Sequence, residues 1–233
     1  ISETDGKGTA VGKDGYAIVN YRTRTLEGTY TAYTDKETAK QLGDYDTTTY
    51  YGTTVWPTFA ETMYAGVLDA VIGMKTDGKK EVIIPSWLMS YEVFETEEEY
   101  LSRSTDGSAA IYEIKVEDFT DSIYLWEIDQ IGKYFSENQD IYKGMTAADS
   151  LQYGFYYKEL EAPTVRDTLK ADTTVYINYT GKLLNGLVFD TTIEKTAKDN
   201  GLYSASKTYS PVPVKMAGDY SEIKLSGNTT ISG

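Results

Sequence analysis

The chain has 233 residues, enough for more than one small domain, and its 40% hydrophobic and 25% charged residues are typical of a globular protein. It contains no cysteine and no histidine, which excludes disulfides, Ser-His-Asp and Cys-His triads, and nearly every zinc site. The net charge of −14 repels phosphate groups, so we expect neither nucleic acid nor an anionic lipid surface as the primary partner.

The composition also bears on where the protein acts. Its 22 tyrosines, 5 prolines and lack of cysteine favour a β-rich exported protein of the periplasm or of the cell envelope or surface. No apolar run approaches the length that spans a bilayer. The chain has no starting methionine, basic n-region or signal h-region, so we interpret it as mature or trimmed, and a lipid anchor upstream of Ile1 stays open.

The first predicted elements are a β-hairpin and a helix. Residues Ala17, Val19 and Tyr21 alternate along one face of a strand, and Gly28 follows in the turn. A short helix is predicted over residues 58–71, because apolar side chains recur there at helical spacing. These side chains are Ala60, Met63, Tyr64, Val67, Leu68 and Val71.

Two further strands complete the first predicted domain, over residues 80–85 and 108–118. One helix against an antiparallel sheet is an α+β arrangement, and we expect a bent sheet wrapped on the helix. We therefore predict a first domain over residues 1–121.

A helical connector is predicted over residues 122–150. Apolar side chains lie at i, i+4, i+7 and i+11 from Tyr124 to Phe135, the helix ends at residues 136–138, and a second helix starts at Thr146. A strand over residues 155–160 then leads into a second domain, residues 151–233.

The second domain repeats the first hairpin. The pattern [VI]-N-Y-x4-L-x-G occurs at Val19 and again at Ile177, and the offset is 158 residues, the difference between Tyr21 and Tyr179. Chance similarity between two hairpins is the alternative interpretation.

The two copies resemble complementary parts of the FKBP-type peptidyl-prolyl cis-trans isomerase domain. In the second copy, the resemblance rests on Tyr179-Thr180-Gly181, Leu184, Asn185-Gly186 and Phe189-Asp190. In the first copy, it rests on residues 66–74, on Asp77-Gly78-Lys79-Lys80, on Ile83-Ile84-Pro85 with Tyr91, and on the closing strand 111–114.

The first copy departs from the family pattern at its pocket. Thr31 and Ala32 stand where the family has Phe and Asp, and Val67 stands where it has the pocket-floor Trp. We therefore expect an inactive first domain with an altered pocket. The second copy keeps the family residues, but the chain stops at Gly233, which resembles the point just before the pocket Trp. We therefore interpret the chain as a piece of a longer protein.

The resemblance implies an enzyme that acts on proline-containing polypeptides without cofactor or metal. Tyr179 and Phe189 would form pocket walls, Asp190 would organise polar contacts near the substrate carbonyl, and Ile231 would offer a backbone donor at the rim. In the first domain, Tyr21, Val67 and Tyr91 would contact substrate.

Each of these residues also has a structural interpretation. Tyr179 and Phe189 could simply pack in a core, and Asp190 could cap a turn. The structural role is favoured for Tyr21 and Tyr91, since their pocket partners are replaced. The acidic run from Glu95 to Glu99 is interpreted as a solvated surface, and no D-x-D-x-D-G loop supports a metal site.

Three functional hypotheses remain. The first is an exported isomerase and folding helper whose second domain is active. The alternative is a non-catalytic peptide- or protein-binding scaffold of FKBP-like modules. The third is a different β-rich surface module, which predicts no helix at residues 58–72.

Overall fold

The alternating strand around Val19 lies in the middle of the first sheet. The computed structural model describes residues 2–92, 94–103, 108–143, 158–162 and 169–218, together with 156, 164, 223–225 and 229–230. The chain divides into two compact units, residues 1–130 and 131–233. The predicted domain boundaries at residues 121 and 150 stay predictions.

The first unit is α+β. Its strands are β1 (Ser2–Thr4), β2 (Tyr16–Arg24), β3 (Tyr30–Tyr33), β4 (Thr54–Pro57), β5 (Lys79–Ile84) and β6 (Ala110–Thr120). Its helices are α1 (Lys36–Leu42), α2 (Ala65–Val71) and α3 (Glu97–Arg103), with a 3₁₀ turn at Ser86–Leu88. The strands form one antiparallel sheet in the order β1-β5-β6-β2-β3, and β4 also pairs with β2. This confirms the predicted fold class.

The core of the first unit lies between this sheet and α2. Val67 and Val71, one turn apart on α2, pack with Ala17 and Val19 of β2 and with Val116 of β6. A side chain of this size stabilises the fold by about 1.5–3 kcal/mol when it is fully buried. With only 7 residues, α2 is too short to be stable on its own, so the packing of its apolar face stabilises it.

The helix predicted over residues 58–71 is shorter in the structure, where α2 starts only at Ala65. Thr58 is buried and pairs with Gly15, and Glu61 has a φ of 64°, which no α-helix tolerates. The Thr62 hydroxyl donates to the Phe59 carbonyl at 2.7 Å and closes a turn. A helix is nevertheless present at residues 65–71, which contradicts the third hypothesis.

The connector contains the predicted helix, α4 (Ile123–Glu137), followed by the short α5 (Gln139–Tyr142). The predicted start of a helix at Thr146 lies outside the described residues. Of the strand predicted over residues 155–160, the described residues 156 and 158–160 are not in a strand, and Leu160 is 87% exposed. That part of the strand prediction is wrong, because an apolar side chain there gains no burial.

Beyond the connector, the described residues of the second unit form two small sheets and a helix. Its elements are β7 (Thr174–Ile177), β8 (Thr180–Lys182), β9 (Val188–Thr191), α6 (Glu194–Asp199), β10 (Val212–Lys215), β11 (Lys224–Leu225) and β12 (Thr229–Thr230). One sheet has the order β12-β11-β10-β7, and β8 and β9 form a hairpin.

The predicted repeat is present in the backbone and extends well beyond the sequence pattern. Every residue pair between β2 and β4 has an equivalent pair between β7 and β10, 158 residues later. For example, Val19 opposite Thr54 corresponds to Ile177 opposite Val212. Helices α1 and α6 begin at equivalent positions, and each is followed by a glycine with positive φ, Gly43 at 80° and Gly201 at 75°. We call residues 14–58 and 172–216 the duplicated module.

The hydrogen bonds of the duplicated module also match. The Thr34 hydroxyl accepts from the Tyr21 N–H at 3.0 Å and donates to Asn20 Oδ1 at 3.0 Å. The Thr192 hydroxyl accepts from Tyr179 N–H and donates to Asn178 Oδ1 at the same two distances. The asparagine of the sequence pattern therefore accepts from a threonine that ends the hairpin, and the tyrosine contributes its backbone N–H.

Candidate functional site

The second unit brings Tyr179 and Asp190 together. Tyr179 directly precedes β8, and Asp190 lies in β9 opposite Gly181. The hairpin therefore brings the two residues together, and the Tyr179 hydroxyl donates to Asp190 Oδ2 at 2.5 Å. The sequence predicts both residues for one pocket, and the hydrogen bond between them is seen only in the structure.

A third residue, Lys207, completes this cluster. It lies in the loop between α6 and β10, and its Nζ donates to Asp190 Oδ1 at 2.5 Å. The hydrogen bond from Lys207, followed by that from Tyr179, lowers the pKa of Asp190 below its ordinary value. The hydrogen bond to Asp190 raises the pKa of Tyr179 in turn. At neutral pH the cluster therefore holds a fixed carboxylate between a neutral phenol and an ammonium group.

Phe189 lies next to this carboxylate in sequence and is open to solvent. Val188 pairs with Lys182 and Asp190 pairs with Gly181, so Phe189 is the extra residue of a β-bulge. Its ring lies against Gly181, where an added Cβ would be only 2.5 Å from Phe189 Cζ. The side chain is 57% exposed. Phe189 is therefore not a core residue, contrary to its structural interpretation.

The remaining predicted residue of this site, Ile231, lies outside the described residues. Its predicted role as a backbone donor stays a prediction. The site geometry in the second unit therefore rests on Tyr179, Asp190, Lys207 and Phe189.

In the first unit, the predicted residues Tyr21 and Tyr91 belong to a cluster of aromatic rings. Tyr21 packs on Trp56 with ring centroids 4.9 Å apart, and Tyr91 packs on Tyr64 at the same separation. Burial, and then the nearby Tyr64, Tyr21 and Tyr91, raise the pKa of Tyr112 to about 12. We call Tyr21, Trp56, Tyr64, Tyr91 and Tyr112 the aromatic cluster.

Val67 lies below the surface in the first unit. It is 3% exposed and belongs to the core cluster, together with Tyr112. Its side chain therefore offers almost no surface to a ligand. Tyr91, by contrast, is 54% exposed, although its ring still contacts Tyr64.

The two copies of the duplicated module differ at the positions of the Asp190 cluster. The equivalents of Phe189, Asp190 and Lys207 are Thr31, Ala32 and Thr49. The Thr31 hydroxyl hydrogen-bonds to the Thr23 hydroxyl at 2.7 Å. The first unit thus has aromatic side chains without the carboxylate, as its sequence predicts.

Sequence reasoning missed Lys207 and the packing partners Trp56, Tyr64 and Tyr112. No spacing rule pointed to Lys207, because it reaches Asp190 from a loop 17 residues away. Two of the aromatic partners did have a signal. Tyr64 lies at helical spacing from Val67 and Val71, and Tyr112 lies on the same face of β6 as Ile114 and Val116.

A groove with a charged lining lies elsewhere in the first unit. Its volume is about 650 Å³, and Arg22, Asp35 and Glu113 are among its lining residues. Arg22 forms ion pairs with Asp35 at 2.8 Å and with Glu113 at 3.8 Å. The pair with Asp35 joins β2 to the start of α1, and the pair with Glu113 joins β2 to β6, which gives these residues a structural role.

No protein-family model matches the chain, and no curated protein matches it in sequence. Among the described residues, no helix is long and apolar enough to cross a membrane.

Several solved structures are similar to part of the chain, and FKBP-type isomerases are among them. FkpA from Escherichia coli is 16% identical over 50% of this chain and 45% of its own, with a TM-score of 0.34. A peptidyl-prolyl cis-trans isomerase from Pseudomonas syringae pv. tomato is 17% identical over 51% of this chain and 73% of its own, with a TM-score of 0.35. The three FKBP domains of wheat FKBP73 are 18% identical over 50% of this chain and 44% of that one, with a TM-score of 0.34. The chain thus spans less than half the length of two of these proteins.

Proposed function

We propose that the protein is an FKBP-type peptidyl-prolyl cis-trans isomerase that helps exported proteins to fold, with its activity in the second unit. The observation that carries the proposal is the carboxylate of Asp190, held by Tyr179 and Lys207 next to the exposed ring of Phe189. Its clients are proline-containing polypeptides of the periplasm or cell envelope, and the reaction needs neither cofactor nor metal.

Prolyl isomerisation makes and breaks no covalent bond. The barrier of about 18–20 kcal/mol arises from amide resonance, which is lost when the amide twists. A site that binds the twisted amide better than the planar one lowers this barrier. Aromatic walls favour the less polar twisted carbonyl, and polar groups that are already fixed need no reorganisation in the transition state.

Each residue of the cluster has a role in this scheme. Tyr179 and Phe189 form apolar walls for the proline ring. Asp190 organises the polar contacts near the substrate carbonyl, and the hydrogen bonds that it accepts from Tyr179, Lys207 and the Thr191 N–H fix its charge and its orientation. Lys207 is a positioning residue, because it acts through Asp190.

The first unit binds or positions clients in this proposal. Its aromatic cluster offers exposed ring surface at Tyr91, but Ala32 supplies no carboxylate and Val67 is buried. The same observations favour the second candidate function, a scaffold of FKBP-like modules that bind polypeptides without catalysis. The two candidates differ only in what the second unit does.

Isomerase turnover, measured with and without Asp190, separates the two candidates. If the second unit is catalytic, Asp190→Ala lowers kcat/KM for a proline peptide clearly and leaves the melting temperature nearly unchanged. Asp199→Ala removes a different, exposed carboxylate of the second unit, should leave kcat/KM unchanged, and serves as the matched control. No turnover in the wild-type protein would favour the scaffold, and turnover that survives Asp190→Ala would rule out the proposed role of Asp190.

A further inference from the structure

A second cleft in the first unit is formed by the segment that follows β5. It has a volume of about 410 Å³ and lies between the 3₁₀ turn Ser86–Leu88 and helix α3. Its lining residues are aromatic, aliphatic or acidic apart from one threonine, and none carries a positive charge. They are Trp87, Phe94, Glu95, Thr96, Glu97, Tyr100 and Leu101.

The apolar wall of the cleft is held in place and is open to solvent. Phe94 packs edge-on against Tyr100 with ring centroids 5.6 Å apart. The Tyr100 hydroxyl hydrogen-bonds to the Ser86 hydroxyl at 2.9 Å, which joins α3 to the turn. Trp87 is 43% exposed and Leu101 is 63% exposed. The cleft therefore presents aromatic and aliphatic surface that the described residues of the first unit leave exposed.

The acidic wall is set by the start of α3. The Thr96 hydroxyl accepts from the Glu99 N–H at 3.1 Å, and Glu99 Oε2 accepts from the Glu95 N–H at 3.1 Å. This reciprocal arrangement is similar to a capping box and fixes the backbone at Glu95. Within the described part of the chain, no ion pair engages Glu95 or Glu97, whose side chains line the cleft.

Carboxylates beside aromatic rings are suited to a long cationic side chain. The aliphatic stem of Lys or Arg packs on apolar surface, and the charged head is attracted both by aromatic ring faces and by carboxylates. An acidic side chain would be repelled by Glu95 and Glu97. A hard divalent cation is disfavoured by walls that are mostly carbon, because it needs several oxygen ligands.

We propose that this cleft binds a Lys or Arg side chain of the polypeptide client. The inference rests on the proposed function, since the client is the polypeptide that the first unit binds. The loop that carries Trp87 also carries Tyr91, which contacts Tyr64 of the aromatic cluster, and the Ala65 N–H donates to the Ser90 carbonyl at 2.8 Å. The cleft and the cluster therefore lie along one short segment, which lets a single client contact both.

Binding of three matched peptides to the whole protein tests this proposal. The peptides are fluorescently labelled, contain one Leu-Pro bond, and differ at one flanking position that carries Lys, norleucine or Glu. We expect the Lys peptide to bind about fivefold more tightly than the norleucine peptide, and the Glu peptide to bind most weakly. The double variant Glu95→Gln/Glu97→Gln should bind the Lys and norleucine peptides equally.

The control variant separates the cleft from the general negative charge of the chain. Glu127→Gln/Glu137→Gln removes the same charge from exposed positions of α4 and should keep the fivefold preference. The proposal is overturned if no peptide binds, if Lys gives no preference, or if both double variants change the preference equally. Isomerase turnover is measured separately, so loss of turnover with an intact preference would count against the proposed catalysis alone.

Discussion

Lys207 Nζ lies 2.5 Å from Asp190 Oδ1, although 17 residues separate the two in the chain. Tyr179 occupies the other oxygen of the same carboxylate. Thr49 and Ala32 occupy the equivalent positions of the first unit, so neither partner of this ion pair is present there. The contact therefore distinguishes the two copies of the duplicated module.

Removal of Lys207 should shift the acid limb of activity to higher pH. Lys207 lowers the pKa of Asp190 in the folded protein, so the charged carboxylate is present at neutral pH and is lost as the pH falls through that lowered pKa. In Lys207→Met this loss should begin at a higher pH, whereas the rate from pH 6 to 8 stays flat. The pH profile of kcat/KM provides the measurement. The control is Lys195→Met, which removes an exposed lysine paired with Asp199. An acid limb that does not move would show that Lys207 does not position Asp190.

Phe189→Ala should affect activity much more than stability. The ring is 57% exposed, so its truncation should cost well below the roughly 3–5 kcal/mol typical of a buried Phe, at about 1 kcal/mol or less. We expect a clear loss of kcat/KM, because a pocket wall is removed, and a partial recovery in Phe189→Leu. Thermal melts and turnover should be measured on the same samples. A large drop in melting temperature with unchanged turnover would assign Phe189 to packing.

Gly66→Ala should destabilise the first unit. A Cβ at this position would lie 2.4 Å from Ile84 Cγ2 and 2.9 Å from Leu88 Cβ, so α2 would have to move away from β5 and the 3₁₀ turn. Overpacking of this kind costs about 1–3 kcal/mol of unfolding free energy. Urea unfolding of the whole protein measures it.

Gly132→Ala is the matched control for this substitution. An added Cβ at Gly132 meets no atom within 4 Å, and the residue lies inside α4. We expect stabilisation by about 0.5–1 kcal/mol, because alanine has the higher helix propensity. Equal effects of the two substitutions would contradict the packing of α2 described here.

Thr34→Val and Thr192→Val should destabilise their units by similar amounts. Each substitution keeps the side-chain shape but removes the hydroxyl that accepts from a tyrosine N–H and donates to an asparagine. Leaving these groups unsatisfied costs about 1–3 kcal/mol. Hydrogen exchange at the Tyr21 and Tyr179 amides reports on each unit separately. Thr47→Val, at an exposed position, should change neither amide. Strongly unequal effects at the two amides would contradict the equivalence of the two modules.

Local sequence patterns predicted the parts of the fold that depend on nearby residues. The alternation in β2 and β6 predicts these two strands, and the turn glycines Gly28 and Gly186 lie in the hairpins β2–β3 and β8–β9. Both glycines have the positive φ that such turns require. The length of α2 could not be predicted in the same way. The turn at Glu61 depends on the pairing of Thr58 with Gly15, which is distant in sequence.

The candidate site was predicted only where a motif covered it. Tyr179 and Asp190 lie in the hairpin, whose register fixes their separation. Lys207 comes from a loop whose path depends on α6 and on the stacking of Tyr203 with Tyr209, at 5.6 Å between ring centroids. Such a contact cannot be read from spacing along the chain, because it is set by how the loop folds back.

The proposed isomerase activity is tested most directly by the rate of cis–trans exchange in a short proline peptide. Exchange spectroscopy by NMR measures this rate without a coupled protease, with and without the whole protein. We predict faster exchange in the presence of the protein, a rate that is flat across neutral pH because no proton is transferred, and a clear loss of this effect in Asp190→Ala. An exchange rate equal to that of the free peptide would contradict the account and leave the protein as a binding scaffold.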